Sequence, residues 1–262
     1  QDLVNKGFTI ILRIDFKQGQ TVPALNEWVD RYYFAQACKQ IAQDMGDLVN
    51  IYVIGNEMSS AHEGAIPALW YTYVFNAYDS NSVYDQIKSV RPNAIVAMGA
   101  LSAWPGYEHE PNSNINFFNT FLDNVEAVDG FALHAYSGWS HWDGSGAIED
   151  PRFSDTTGFK SFEVFMRKIY EKYGANKYVY ITETNTYWNL NPSAPTGYTD
   201  ENYRANWVKE AFQAVDEWNQ SNDLKIDALC FFTYSTLGIT SPSSDIYRNA
   251  LARTDNAKLN TA

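Results

Sequence analysis

Residues 51–57 read IYVIGNE: an apolar run, Ile51–Gly55, that ends on an amide and a carboxylate, Asn56 and Glu57. Residues 178–185, YVYITETN, repeat the plan, with Glu183 and Asn185 at the end of Tyr178–Thr182. Short runs rich in Ile, Val and Tyr and apolar on both faces suit parallel strands buried on both sides. Four more runs of this kind occur: Phe8–Ile14, Ala94–Met98, Gly130–Ala135 and Ile226–Thr233. Helical patterns lie between and after them, at Leu25–Asp44, Leu69–Val90, Asn114–Val125, Gly158–Tyr173, Glu201–Gln220 and Asp245–Thr254. Alternating strands and helices imply an α/β fold with a mainly parallel sheet.

Two architectures compete, an open doubly wound sheet and a closed (β/α)8 barrel of the TIM type. No GxGxxG or GxxxxGK[ST] turn supports a nucleotide fold, and no GxSxG marks a serine hydrolase. Chemistry-bearing residues instead follow nearly every strand: Arg13 and Asp15, Asn56 and Glu57, Ser102 and Trp104, His134 and Tyr136, Glu183 and Asn185, and Tyr234. That distribution is the active face of a barrel. The strands recur about every 44 residues, so the chain holds six strand–helix units where the barrel has eight. Gly7 in VNKG reads as a helix stop just before the first strand. The expectation is one barrel domain over residues 1–262 that starts inside a larger barrel, with strands one and two missing from its N-terminus.

Acidic residues outnumber basic ones 31 to 19, a formal net charge of −12, which disfavours nucleic acid and anionic membranes as partners. No apolar run approaches the ~18 residues of a membrane span. The opening QDLVNKG has neither the basic head nor the apolar run of a secretory signal. Cys38, in a helical pattern, and Cys230, in a strand, read as buried thiols rather than a disulfide framework. Only His134 of the four histidines stands at a strand end, so neither a metal site nor a cofactor is expected.

A carboxyl group against apolar walls at a strand end can be held protonated near neutrality and act as a general acid. It can equally be a helix N-terminal Glu favoured by the dipole. The pair is more informative than either member. Glu57 and Glu183 are three strands apart, which in a closed barrel places them on facing walls of one mouth. Two carboxylates across a cleft are the minimum equipment for glycoside hydrolysis.

With Asn56-Glu57 after one strand, Glu183 three strands later and His134-Ala135-Tyr136 between, the chain resembles the retaining (β/α)8 glycosidases of glycoside hydrolase clan A. The resemblance implies that the strand before Asn56-Glu57 is the fourth of eight and the strand before Glu183 the seventh. It implies Glu57 as acid/base, Glu183 as nucleophile and Asn56 as the group that meets the sugar 2-hydroxyl. It implies His134 near the nucleophile, and Tyr136 or Tyr234 as a donor to Glu183. Arg13 stands for an arginine that orients the nucleophile, although the clan usually supplies it from strand two. The last strand ends CFFTYST, where many clan members have a Trp under the sugar, so Phe232 or Tyr234 takes that place. A carbohydrate substrate and a secreted or extracytoplasmic location follow from the same resemblance.

Aromatic residues make up 16% of the chain, including eight Trp and eighteen Tyr. Trp104, Trp139, Trp142 and Trp188 fall in loops on the active face and suit either sugar stacking or packing of the loops on themselves. Trp28, Trp70, Trp207 and Trp218 lie in or beside helical patterns and read as packing. Two alternatives to a hydrolase stay open: a carbohydrate-binding barrel without activity, and a barrel enzyme of another class.

Overall fold

The computed structural model describes residues 2–76, 81–103, 113–137, 159–186 and 207–232. Six strands, β1 (Ile11–Ile14), β2 (Ile51–Ile54), β3 (Ile95–Met98), β4 (Gly130–Ser137), β5 (Tyr178–Thr186) and β6 (Ala228–Phe231), form one sheet in chain order. Every neighbouring pair is parallel. The helices are α1 (Asp2–Asn5), α2 (Trp28–Met45), α3 (Ala68–Phe75), α4 (Val83–Val90), α5 (Ser113–Asn124), α6 (Phe162–Tyr173) and α7 (Trp207–Ser221). Consecutive parallel neighbours with helical crossovers make a half-barrel of the α/β type.

The two faces of the sheet differ in the size of their side chains. One face carries Tyr52, Ile54, Val96, Met98, Phe131, Leu133, Val179 and Ile181 into a single large core with the helices. The other gathers Val53, Ala97, Ala100 and Ala132, with Ile11 packed beside them. Small residues belong on the inner wall, where curvature brings the strands together and leaves little room. Alternation then puts Arg13, two residues past Ile11, and His134 and Tyr136, two and four past Ala132, on the inner side.

Two aspartates pin the register at the opposite end of the strands. Asp129 donates its N–H to Val96 O and accepts Val96 N–H on its carboxylate. Asp227 does the same with Val179. This is why the last strand begins at Ala228 and not at Ile226: Asp227 pairs through its side chain before the ladder starts.

Several boundaries differ from the sequence reading. The first strand begins at Ile11, and Phe8 is exposed. The Gly7 stop expected from the sequence is present and explains the shift. With φ at 84°, Gly7 donates to Val4 O while Phe8 donates to Leu3 O, so the chain closes the helix end before it can join the sheet. The second helix begins at Trp28 because Glu27 folds back to accept the Ala24 N–H and the Gln20 amide. The expected helix Leu69–Val90 is two helices, α3 and α4. Ser82 caps the second by accepting the Asp85 N–H, and its hydroxyl donates to the Asp85 carboxylate. Cys38 is buried, and burial pushes its thiol pKa up, but Cys230 is only half-buried. Trp70 and Trp218 are buried as expected, whereas Trp28 is mostly exposed and lays edge-on contacts against Trp70 and Tyr73. The final expected helix, Asp245–Thr254, lies outside the described residues.

Gly99 joins the ends of β2 and β3. A Cβ on it would sit 2.4 Å from Gly55 O and 2.5 Å from Ile54 O, both backbone atoms. Its N–H donates to the Tyr71 hydroxyl, which in turn donates to Ile54 O. Gly99→Ala must push apart the two strand ends that carry Asn56 and Glu57. The expected cost is about 1–3 kcal/mol, the range of other overpacked cores, read as a lower urea midpoint at unchanged slope. A midpoint equal to wild type would show that this junction yields freely.

Candidate active site

Glu57 leaves β2 on a strained backbone. Its φ is 44°, a left-handed conformation that costs a residue with a Cβ about 1–2 kcal/mol. The neighbours hold it there. Glu57 donates its N–H to Ala100 O at 2.7 Å and accepts from the Ser60 N–H at 2.7 Å. The Asn56 N–H donates to the Thr21 hydroxyl, which donates at 3.0 Å to Asp15. Strain over-determined by surrounding bonds is characteristic of functional positions.

Glu183 reaches the inner wall by a different device. Leu133 pairs with Ile181, but the next residue, His134, pairs with Glu183. The β6 side shows the same slip, between Ile181 and Thr184. Thr182 is therefore one extra residue in β5, a bulge. Ile181 points into the outer core, so strict alternation would send Thr182 inward and Glu183 outward. The bulge reverses that parity and sets Glu183 opposite His134. Thr182 compensates with its own hydroxyl, which donates to Leu133 O, and Thr184 donates likewise to Ala135 O at 2.5 Å.

These elements converge on one imidazole. His134 Nδ1 lies 3.0 Å from Glu57 Oε1, and His134 Nε2 lies 3.7 Å from Glu183 Oε1. The His134 side chain is 1% exposed, while those of Glu57 and Glu183 are 22% and 17% exposed. The carboxylates thus line an accessible surface and the imidazole sits beneath them. Glu183 has two further donors: Arg13 Nη1 at 3.0 Å and the Tyr136 hydroxyl at 2.8 Å. Arg13 also donates to Asn56 Oδ1 at 2.9 Å and pairs with Asp15 at 3.0 Å.

Burial opposes a charge on His134, as does the Arg13 cation, but the Glu183 and Glu57 carboxylates outweigh both and hold its pKa above the usual histidine value. The folded protein therefore binds this proton more tightly than the unfolded chain. The stabilisation is full below about pH 6.5, the unfolded value, and is lost as pH rises through the higher folded value. An NMR titration should find the His134 midpoint above that of free histidine, with unfolding free energy declining across the same window. A midpoint at or below the free value would sink this account.

Arg13, Asn56, Glu57, His134, Tyr136 and Glu183 are thus brought together. Trp104, Trp139, Trp142, Trp188 and Tyr234 lie outside the described residues. Three neighbours were not given a role from the sequence. Asp15 and Thr21 support Arg13 and the Asn56 backbone, and Glu63 accepts from Asn56 Nδ2 at 3.3 Å. Glu63 comes from the short 3-10 turn Ala61–Glu63, and no local motif marks it.

Neither a protein-family model nor a curated protein matches the sequence. Solved structures do match. One is a glucosidase from Croceicoccus marinus, aligned over 89% of this chain and 44% of that chain at 13% identity and a TM-score of 0.55. A family 39 glycoside hydrolase from Bacteroides cellulosilyticus WH2 aligns over 96% of this chain and 48% of that chain, at 15% identity and a TM-score of 0.54. A fungal β-1,4-galactanase aligns over 98% of this chain and 78% of that chain, at 11% identity and a TM-score of 0.55. The chain spans less than half the length of the first two. No helix among the described residues is long and apolar enough to cross a membrane. At such identities the likeness is one of fold: the six-stranded half-barrel follows the α/β plan of these three structures.

Proposed function

We propose that the chain is a retaining β-glycoside hydrolase that cleaves a poly- or oligosaccharide by double displacement. The observation that carries this reading is the placement of Glu57 and Glu183 against one buried imidazole, with unequal surroundings. Glu183 accepts from Arg13 and Tyr136, donors that fix its aim, as a nucleophile requires. Glu57 faces the buried His134 across 3.0 Å and stands on the accessible side of it, at the position of a general acid.

The steps follow from those surroundings. Glu57 gives its proton to the glycosidic oxygen as a Glu183 oxygen attacks the anomeric carbon. The bond to the leaving group breaks, and a glycosyl ester forms on Glu183. Glu57, now a carboxylate, takes a proton from water, which attacks the same carbon and frees Glu183 with net retention. Asn56 meets the sugar 2-hydroxyl, a contact that can tighten in the transition state. Trp104, Trp139, Trp142, Trp188 and Tyr234 supply sugar-stacking surface. In the same reading residues 1–262 are one catalytic domain, and β2 and β5 are the fourth and seventh strands of an eight-stranded barrel.

A panel of aryl β-glycosides and β-linked polysaccharides, with the first-formed anomer followed by NMR, tests the proposal. The β-anomer should form first. An α-anomer would overturn retention, and no hydrolysis across the panel would overturn the hydrolase reading.

A further inference from the structure

The side-chain amide of Asn56 is gripped at both ends. Its Oδ1 accepts from Arg13 Nη1 at 2.9 Å and its Nδ2 donates to Glu63 Oε1 at 3.3 Å. Asn56 is buried, with 7% of its surface exposed, so water competes weakly for these partners. Rotating it by half a turn would set an N–H against the guanidinium and the carbonyl oxygen against the carboxylate, two repulsive contacts in place of two charge-assisted bonds. Arg13 alone would select the carbonyl end. Glu63 selects the other end and leaves one N–H of Nδ2, for which no described residue is a partner, to meet an acceptor oxygen of a ligand. The same Arg13 nitrogen also reaches Glu183, so Glu63, Asn56, Arg13 and Glu183 form a continuous chain from the turn after β2 to β5.

From this we infer that Glu63 is a positioning residue: it locks the Asn56 amide in the one orientation that offers an N–H donor to the sugar, and acts on turnover only through Asn56. The kinetic part rests on the hydrolase reading; the lock itself does not. Glu63 is held in turn through its backbone, since its carbonyl accepts the Thr21 N–H at 3.1 Å, so a side-chain change leaves that tether in place.

Glu63→Leu, Glu63→Gln, Asn56→Ala and the double variant Glu63→Leu/Asn56→Ala should be compared on one aryl β-glycoside. Exchange of the Asn56 side-chain amide protons should be followed by NMR in wild type and in both Glu63 variants. Glu63→Leu removes the acceptor and is expected to lower kcat/KM about ten- to hundredfold, mostly in kcat, the size of one hydrogen bond to a charged group. The double variant should be no slower than Asn56→Ala, because the two changes remove one interaction. Glu63→Gln keeps an acceptor oxygen and should stay within about threefold of wild type in kcat/KM. Full additivity in the double variant, or Glu63→Leu at wild-type rate, overturns the inference. So does a Glu63→Gln loss as large as that of Asn56→Ala, a comparison that stands even if the leucine variant does not fold. If wild type hydrolyses no glycoside, the hydrolase reading fails by itself and amide exchange decides about Glu63. Exchange about tenfold or more faster in Glu63→Leu supports the lock, and unchanged exchange refutes it.

Discussion

Glu183→Gln is expected to abolish turnover of every substrate, by at least about 10⁴-fold in kcat, as loss of a covalent nucleophile does elsewhere. The substitution keeps the shape of the side chain and removes only its nucleophilic charge. Its carbonyl oxygen can still accept from Tyr136 or Arg13, and Arg13 keeps Asp15 and Asn56 as partners. The fold should therefore survive, and a single cooperative melting transition would show that it has. The loss should not depend on the leaving group, because an amide cannot form the glycosyl ester however readily the other side departs. His134 adds a second signature. The Glu183 carboxylate is the strongest of the forces that raise its pKa, so that pKa should fall in this variant. A variant that retains more than about a hundredth of the wild-type kcat would remove Glu183 from the nucleophile's role.

The parts of this architecture that were legible in the sequence are those decided by local pattern. All six strands stand where short two-sided apolar runs occur, because a parallel strand buried on both faces can be built from little else. Their order and direction follow from alternation with helices. Elements whose ends are settled by a single side chain were harder to place. Asp227 delays β6 by pairing before the strand, Glu27 delays α2, and Ser82 divides one expected helix in two. The last of these has a readable sign, since Ser82 and Asp85 form the S-x-x-D spacing of a capping box. Within the site, Arg13, Asn56, Glu57, His134, Tyr136 and Glu183 were visible because each stands in the C-terminal half of a strand or just past it. The Thr182 bulge was not, because period-two counting assigns Glu183 to the wrong wall and only pairing with both neighbouring strands reveals the extra residue. Glu63 was invisible for a related reason. Its approach to Asn56 depends on a turn, and turns bring together residues that share no period.

Glu57→Gln is expected to produce a different defect, and the difference separates an acid/base from a nucleophile. Glutamine cannot give the leaving oxygen a proton. Substrates whose leaving group departs as a stable anion, such as dinitrophenolate, should form the glycosyl ester nearly as fast as with wild type. Those that leave as an alkoxide, including every natural sugar, should slow by about 10²–10⁴-fold, the usual worth of general acid catalysis. The second step loses its base for all substrates alike, since one residue serves both steps. With an activated substrate the ester should then accumulate, giving a burst of dinitrophenolate followed by slow turnover, with the added mass of one sugar on the peptide that contains Glu183. Azide, an anion that attacks without giving up a proton, should restore turnover and yield a glycosyl azide of retained configuration. The fold should hold, because Glu57 is anchored through its backbone to Ala100 and Ser60, and a glutamine side chain can still meet His134 where the carboxyl group does. The His134 pKa should fall here as well, since the Glu57 hydrogen bond and charge both raise it. That shared spectroscopic change confirms that each substitution reached the same imidazole, while the leaving-group dependence tells the two roles apart. Equal losses on activated and unactivated substrates, with no burst and no azide rescue, would show that Glu57 does not carry the proton.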